Sequence, residues 1–370
     1  MSYQVLYRKY RPKDFSEVVG QDHIVAVLKR QVETDRVAHA YLFSGPRGIG
    51  KTTLARLIAK ATNCTSADAK GKPCNVCPSC EIFNSGQALN LIEIDAASNR
   101  GIDDIRELRE AVRFLPASGG TKVYIIDEVH QLSKDAFNAL LKTLEEPPAH
   151  AVFILATTEL DKVPETIVSR TQHFDFRRPR REVLSKRLLD LAGREGIALE
   201  PDAARAIAFA AEGSVRDAES MLGKIMAVED KAIALAEVEE ILGIPTREAL
   251  TALFGHIGKK ELKEAIELVN RLYHDGYEME YLTKMLISFF RDALMAKVAG
   301  EGAANAGTLL PERGELDAYL ADFSADALAD AITGLIEALA QSRRSPIPQL
   351  PLELALIAIV NGRKNLESGR

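Results

Sequence analysis

The sequence predicts an α/β fold: a domain with a parallel sheet over residues 1–178, then a small helical domain over 179–242 and an all-α domain over 243–370. Three observations carry this. Short apolar runs alternate with helical patterns in the first half, a glycine-rich loop joins one such run to the next helix, and no convincing strand follows Arg177.

The strand candidates are Ala40–Ser44, Leu91–Asp95, Lys122–Asp127, Ala151–Thr157 and His173–Phe176. Most are short, apolar and β-branched, as in strands buried on both faces of a parallel sheet. Helical patterns at 21–34, 50–62, 102–113 and 133–146 alternate with them, giving a doubly wound domain. After Arg177-Arg178-Pro179-Arg180-Arg181, helical patterns fill 181–195, 202–211, 214–228 and 234–242, until Gly243-Ile244-Pro245 interrupts the chain. Further patterns cover 246–256, 259–274, 278–298, 325–342 and 350–368, with Gly300–Thr308 read as a loop. Leu328, Ile332, Leu335, Ile336 and Leu339 recur at helical spacing and mark a buried stripe.

With 46% hydrophobic and 27% charged residues, the composition is that of a globular protein. The first residues are charged rather than apolar, and no apolar run reaches the roughly 18 residues of a membrane span. The expectation is a cytoplasmic protein with no membrane partner. The net charge of −6 argues against a chain devoted to nucleic acid. Residues 1–60, however, hold 11 Lys/Arg against 5 Asp/Glu. Such a basic region suits phosphate ligands, whether nucleotide or nucleic acid, or is simply a solvated surface.

Gly45-Pro46-Arg47-Gly48-Ile49-Gly50-Lys51-Thr52 is a full G-x-x-x-x-G-K-T motif, preceded by a strand candidate and continued as a helix through Thr53. The glycines let backbone N–H groups turn around phosphates, and the helix N-terminus adds positive dipole character. In this pattern Lys51 neutralises β/γ-phosphate oxygens and Thr52 gives its hydroxyl to Mg²⁺, so a bound nucleotide such as ATP is expected. Asp127 and Glu128 end an apolar strand, at the edge where α/β sheets bind ligands. Asp127 suits the Mg²⁺ shell, and Glu128 suits polarisation of an attacking water. The next strand ends in Thr157-Thr158. Thr157 is the favoured group to sense the γ-phosphate or orient the water, although adjacent threonines are also ordinary strand-end caps. Arg170 precedes the last strand candidate and Arg216 opens a later helix; an arginine of this kind can stabilise charge on a transferring phosphoryl group.

All four cysteines lie close together, at Cys64, Cys74, Cys77 and Cys80. Four thiolates in that span can close a tetrahedral Zn²⁺ shell with no open position, and a short insertion without its own core gains its fold from the metal. A redox Cys-x-x-Cys pair and unliganded thiols are the competing readings.

Taken together, the segments Leu6-Tyr-Arg-Lys-Tyr-Arg-Pro12, Phe15-Ser-Glu-Val-Val-Gly-Gln21, the phosphate loop, the four cysteines, Asp127-Glu-Val-His130 and Asn138-Ala-Leu-Leu-Lys-Thr-Leu-Glu-Glu-Pro-Pro148 resemble the bacterial DNA polymerase III gamma/tau family. Members are AAA+ ATPases of the clamp loader. The resemblance covers essentially the whole chain and implies a P-loop AAA+ domain with a zinc knuckle at 63–82, a helical lid over 179–242 and an oligomerisation collar over 243–370. It implies that Tyr7, Arg8, Tyr10, Arg11 and Pro12, with Val18 and Val19, line an adenine pocket. Ser169-Arg170 matches the start of the family's Ser-Arg-Cys motif, whose arginine enters the neighbouring subunit's ATP site; Thr171 stands where the family has cysteine. Arg216, in Gly213-Ser-Val-Arg-Asp, matches an arginine on the phosphates of its own nucleotide.

The resemblance also puts Ser98, Arg100 and Arg106 where the family touches DNA, without reading sequence. Against this, Arg106 and Arg109 interleave with Asp103, Asp104, Glu107 and Glu110 as on a salt-bridged helix face. The implied function is ATP-driven loading of a sliding clamp onto primed-template DNA, within a hetero-oligomeric ring of clamp-loader subunits. A different AAA+ remodelling ATPase and a non-hydrolysing scaffold subunit are the alternatives.

Overall fold

The computed structural model describes residues 4–116, 119–228, 231–299, 320–342 and 344–361. The expected loop at 300–308 and the end of the expected 350–368 helix lie outside them. The chain divides into two compact units, Met1–Ala232 and Ile233–Arg370.

The first unit opens with α1 (Leu6–Lys9) and α2 (Asp22–Glu33), followed by β1 (Ala40–Ser44) and α3 (Lys51–Thr62). Then come α4 (Pro78–Ser85), β2 (Leu91–Asp95), α5 (Ile102–Val112), β3 (Lys122–Asp127), α6 (Lys134–Glu145), β4 (Ala151–Thr157), α7 (Glu165–Val168) and β5 (Gln172–Asp175). The strands form one sheet in the order β2-β3-β4-β1-β5, and each neighbouring pair is parallel. Four strands match the expected bounds. The fifth starts one residue earlier than expected: Gln172 pairs with Tyr41, and Phe176 only adds an N–H bond to the Ser44 carbonyl at 2.8 Å.

Alternation along the strands feeds two helical layers. Tyr41, Phe43, Val123, Ile125, Val152 and Ile154 pack with Leu28, Leu54 and Ile58 of α2 and α3. Their neighbours Leu42, Tyr124, Ile126, Phe153 and Leu155 pack with Ile105, Leu108, Phe137 and Leu140 of α5 and α6. Both faces of the sheet are covered, so the interiors of its central strands are apolar and polar residues stand at their ends. The unit ends in α8 (Arg181–Arg194), α9 (Pro201–Ala210) and α10 (Val215–Met226), the last capped by Ser214, whose side chain accepts from the Asp217 N–H.

Three short helices escape the periodicity of the sequence, among them α7, which has four residues. α1 has four residues, and α4 lies inside the cysteine segment, with Cys77 as N-cap, Pro78 at its first position and left-handed Gly86 closing it. Pro and Gly at those places start and stop a helix by their allowed dihedrals.

Contrary to the expectation of no strand after Arg177, two two-residue strands, β6 (Ala198–Leu199) and β7 (Ala232–Ile233), pair as a small second sheet, too short for alternation to register in the sequence. From Leu235 the elements of the second unit are helices: α11 (Leu235–Leu242), α12 (Arg247–Gly258), α13 (Leu262–His274), α14 (Met279–Ala299), α15 (Ala325–Ser342) and α16 (Leu350–Asn361). On α15 the buried face runs through Leu328, Ala331, Gly334, Leu335 and Ala338, so small residues share it with the two leucines, and Ile336 of the expected stripe is exposed. Phe254 sits at the centre of this unit's core, with ring centroids 4.9, 4.7 and 4.6 Å from Phe289, Phe290 and Phe323. No described helix is long and apolar enough to cross a membrane. Truncating so central a ring leaves a cavity, so Phe254→Ala is expected to cost about 3–5 kcal/mol. Urea unfolding followed by circular dichroism checks it.

Candidate functional site

β1 runs directly into the Gly45–Gly50 loop, and α3 begins at Lys51. The loop needs left-handed backbone at Gly48 and Gly50, with φ of 76° and 107°, which side-chain-bearing residues rarely adopt. Lys51 folds back over it, and its Nζ donates to the Gly45 and Pro46 carbonyls at 2.6 and 2.8 Å. Burial lowers the Lys51 pKa, and the nearby Glu128 and Asp127 oppose that shift.

β3 delivers the two acids to the same edge of the sheet. Thr52 Oγ1 donates to Asp127 Oδ2 at 2.9 Å, and Asp127 Oδ1 accepts the Glu128 N–H at 3.0 Å. Glu128 itself is left-handed, with φ 49°. A non-glycine residue held there costs on the order of 1–3 kcal/mol and persists where its surroundings over-determine it. Thr158 Oγ1 donates to Glu128 Oε2 at 2.9 Å.

A cavity of about 260 Å³ collects most of the expected residues. One part is lined by Arg47, Gly48, Ile49, Gly50, Lys51, Thr52 and Thr53, with Asp127 and Glu128. Tyr7, Arg8, Arg11, Pro12, Val18 and Val19 line it as well, together with Arg216. The Arg216 guanidinium lies 4.8 Å from the Tyr7 ring centroid, a cation–π contact, and its hydrogen bond to the phenol lowers the Tyr7 pKa. The Arg216 N–H also bonds to the Gly48 carbonyl at 3.1 Å, so α10 is attached to the loop by its backbone.

The other expected residues lie elsewhere. Gly45 and Pro46 contribute the carbonyls that hold Lys51, and the Gly45 N–H donates to the Thr157 carbonyl at 3.2 Å. Tyr10 turns away, with Lys9 over its ring at 5.4 Å. Thr157, the favoured threonine, is fully buried off the cavity; its hydroxyl donates to the Glu159 carbonyl at 3.1 Å, and it is Thr158 that touches Glu128. Arg170 pairs with Glu145 at 2.7 Å, outside the cavity of its own chain. Ser98, Arg100 and Arg106 are exposed and bond locally, to Asp95 at 3.0 Å, the Ala97 carbonyl at 2.8 Å and Asp103 at 3.0 Å.

Glu17, Arg187, Val215 and Glu219 line the cavity without having been expected there. Arg187 Nε donates to Glu219 Oε1 at 3.0 Å and its Nη2 to the Tyr10 carbonyl at 2.9 Å, tying α8, α10 and the N-terminal segment together. A signal existed: Glu219 falls on the stripe that buries Ala218, Leu222 and Gly223. Burial raises the Glu219 pKa, opposed by Arg187 beside it.

The four cysteine sulfurs lie within 4.8 Å of one another. Tetrahedral thiolates around Zn²⁺ at about 2.3 Å stand roughly 3.8 Å apart, so this donor set fits that ion with little movement. The Cys74, Cys77 and Cys80 N–H groups point at the Cys64, Cys74 and Cys77 sulfurs at 3.5, 3.4 and 3.4 Å, contacts that favour thiolates.

Residues 20–180 match the family model described as DNA polymerase III, delta subunit. Residues 184–237 match that of the DNA polymerase III clamp loader subunit, ATPase lid domain, and 233–366 that of DNA polymerase III subunits gamma and tau domain III. The DNA polymerase III subunit gamma of Buchnera aphidicola subsp. Acyrthosiphon pisum is 38% identical over 289 residues, 78% of this chain and 80% of that protein. The chain belongs to the DNA polymerase III gamma/tau family. The subunit tau of Bacillus subtilis is 40% identical over 97% of this chain, and that of Escherichia coli 41% over 82%. The chain spans 63% and 47% of these two gamma/tau relatives' lengths.

The raised Glu219 pKa has a pH consequence. An unfolded chain ionises this carboxyl near 4.5 while the folded chain still holds the proton, so stability falls as pH rises from there through the folded value. Glu219→Gln is expected to flatten that slope, measured as urea-unfolding free energy from pH 4.5 upward.

Proposed function

We propose that the chain is an ATP-hydrolysing motor subunit of a DNA polymerase III clamp loader. The observation that carries this reading is the meeting of Lys51, the bonded Thr52–Asp127 pair and Glu128 in one cavity. On this reading residues 1–178 form the AAA+ nucleotide-binding domain, 179–242 the lid, and 243–370 a collar that assembles the ring.

Thr52 and Asp127 would hold Mg²⁺, supporting oxygens 2.9 Å apart at the loop's mouth; the ion supplies charge neutralisation to the phosphates. Lys51 exchanges its two carbonyl partners for β/γ-phosphate oxygens. Glu128 orients a water for attack on the γ-phosphorus, releasing ADP and phosphate. Arg216 senses the phosphates from the lid, while Tyr7, Arg8, Arg11, Pro12, Val18 and Val19 receive the base and ribose. Arg170 acts on a neighbouring subunit's nucleotide, in keeping with its position outside its own cavity. Cys64, Cys74, Cys77 and Cys80 hold a structural Zn²⁺. The partners are other clamp-loader subunits, a sliding clamp and primed-template DNA, whose phosphates meet Ser98, Arg100 and Arg106, all in the cytoplasm.

In a reconstituted loader with clamp and primed DNA, Lys51→Ala is expected to lose ATP binding. Glu128→Gln should keep it and hydrolyse about a hundredfold or more slowly, as loss of a positioned catalytic group costs. Unchanged turnover in both would refute the assignment. Elemental analysis should find one zinc per chain, and a Cys77→Ser chain should hold far less and melt at lower temperature. Wild-type protein purified without metal would remove the zinc site.

A further inference from the structure

His130 follows the two acids of β3, on the turn Val129–Gln131, and does not line the cavity. Its side chain is only 4% exposed. Nδ1 lies 3.0 Å from Thr157 Oγ1 and 3.5 Å from Glu128 Oε2. Nε2 lies 2.9 Å from the Gln131 side-chain amide and 3.2 Å from Glu159 Oε1.

The Thr157 hydroxyl identifies the protonated nitrogen. Its one hydrogen goes to the Glu159 carbonyl at 3.1 Å, and the oxygen already accepts the Glu159 N–H at 3.0 Å. With the hydrogen so assigned, the hydroxyl meets Nδ1 as an acceptor and Nδ1 carries a proton; the Gln131 amide nitrogen, a donor 2.9 Å from Nε2, agrees with that tautomer. The same nitrogen, anchored by Thr157, lies 3.5 Å from Glu128 Oε2, near enough for the partial positive charge of its N–H to attract the carboxylate. At 3.5 Å the contact is electrostatic, beyond a good hydrogen bond. Thr158 holds the same oxygen by a hydrogen bond of 2.9 Å.

We propose that His130 is a positioning residue for Glu128: its Nδ1–H, fixed by the buried Thr157 hydroxyl at the end of β4, holds the carboxylate in the orientation that polarises the attacking water. The inference rests on the hydrolytic role given to Glu128 above. Since His130 stands behind the acid and away from the cavity, its loss acts on the hydrolytic step and spares nucleotide binding. Thr157 thereby has a part in the site without reaching the nucleotide.

The test is single-turnover hydrolysis beside equilibrium ATP binding, in the loader assembled with partner subunits, clamp and primed DNA. His130→Ala is expected to bind ATP within about twofold of wild type and hydrolyse it about ten- to a hundredfold more slowly, the scale of a misplaced catalytic group. His130→Asn, whose amide N–H falls near the Nδ1 position, should recover much of that rate. Thr157→Val, which removes the anchor alone, should slow hydrolysis with binding intact; it is the deciding variant if His130→Ala does not fold. Wild-type hydrolysis in folded His130→Ala, an Asn variant no better than Ala, or parallel loss of binding and hydrolysis would each overturn the inference while leaving the ATPase reading standing. A wild-type loader that neither binds nor hydrolyses ATP overturns both.

Discussion

The hydrogen bond from Thr52 to Asp127 joins residues 75 positions apart, and the candidate site is organised around it. It exists because β1 and β3 run in the same direction and end at the same edge of the sheet, with β4 between them. Register sets the level of each strand end: Ser44 stands opposite Thr157, and Ile126 opposite Leu155. A slip of one residue in any of these strands would invert which side chains meet each helical layer. The apolar core thus sets the polar geometry. Leu42, Ile126 and Leu155, all fully buried, place the loop and the acids as surely as any contact inside the cavity.

Much of this was legible before folding. β1, β3 and β4 are apolar runs closed by Ser44, Asp127 and Thr157, and a buried strand leaves little latitude in its ends; β2, only partly buried, still carries Leu91, Ile92 and Ile94 before Asp95. The glycine loop and the cysteine cluster are local patterns whose spacing already dictates proximity. What escaped depends on contacts through space. Nothing adjacent to Arg187 announces that its guanidinium will bridge Glu219 and the Tyr10 carbonyl. The two threonines ending β4 differ by one position, yet alternation sends Thr157 toward His130 and leaves Thr158 beside Glu128. α1 is too short for periodicity to register.

The loop glycines answer to the lid helices as well as to dihedral preference. At Gly48 the φ of 76° suits glycine, and a Cβ there would also collide with Ser214 Oγ, the cap of α10. The absent side chain lets the Arg216 N–H reach the Gly48 carbonyl, so the loop's shape and the position of α10 are set by one contact. Motion of α10 relative to the sheet must therefore break or carry along a bond to the phosphate loop itself.

α3 shows why such a loop favours an anion. The helix spans twelve residues, about 18 Å, and carries a buried lysine at each end. Burial lowers the pKa of both. Lys60, at the C-terminal end where the dipole welcomes a cation, also reaches the Lys13 carbonyl and the side chains of Asn75 and Asn84, which fastens the cysteine segment to the helix. Lys51 stands at the opposite end, where the dipole disfavours positive charge, and two carbonyls of its own loop, with the Glu128 and Asp127 carboxylates nearby, hold it. A cation kept against both burial and dipole gains from an anion arriving beside it, and the free N–H groups at the start of the helix attract the same charge.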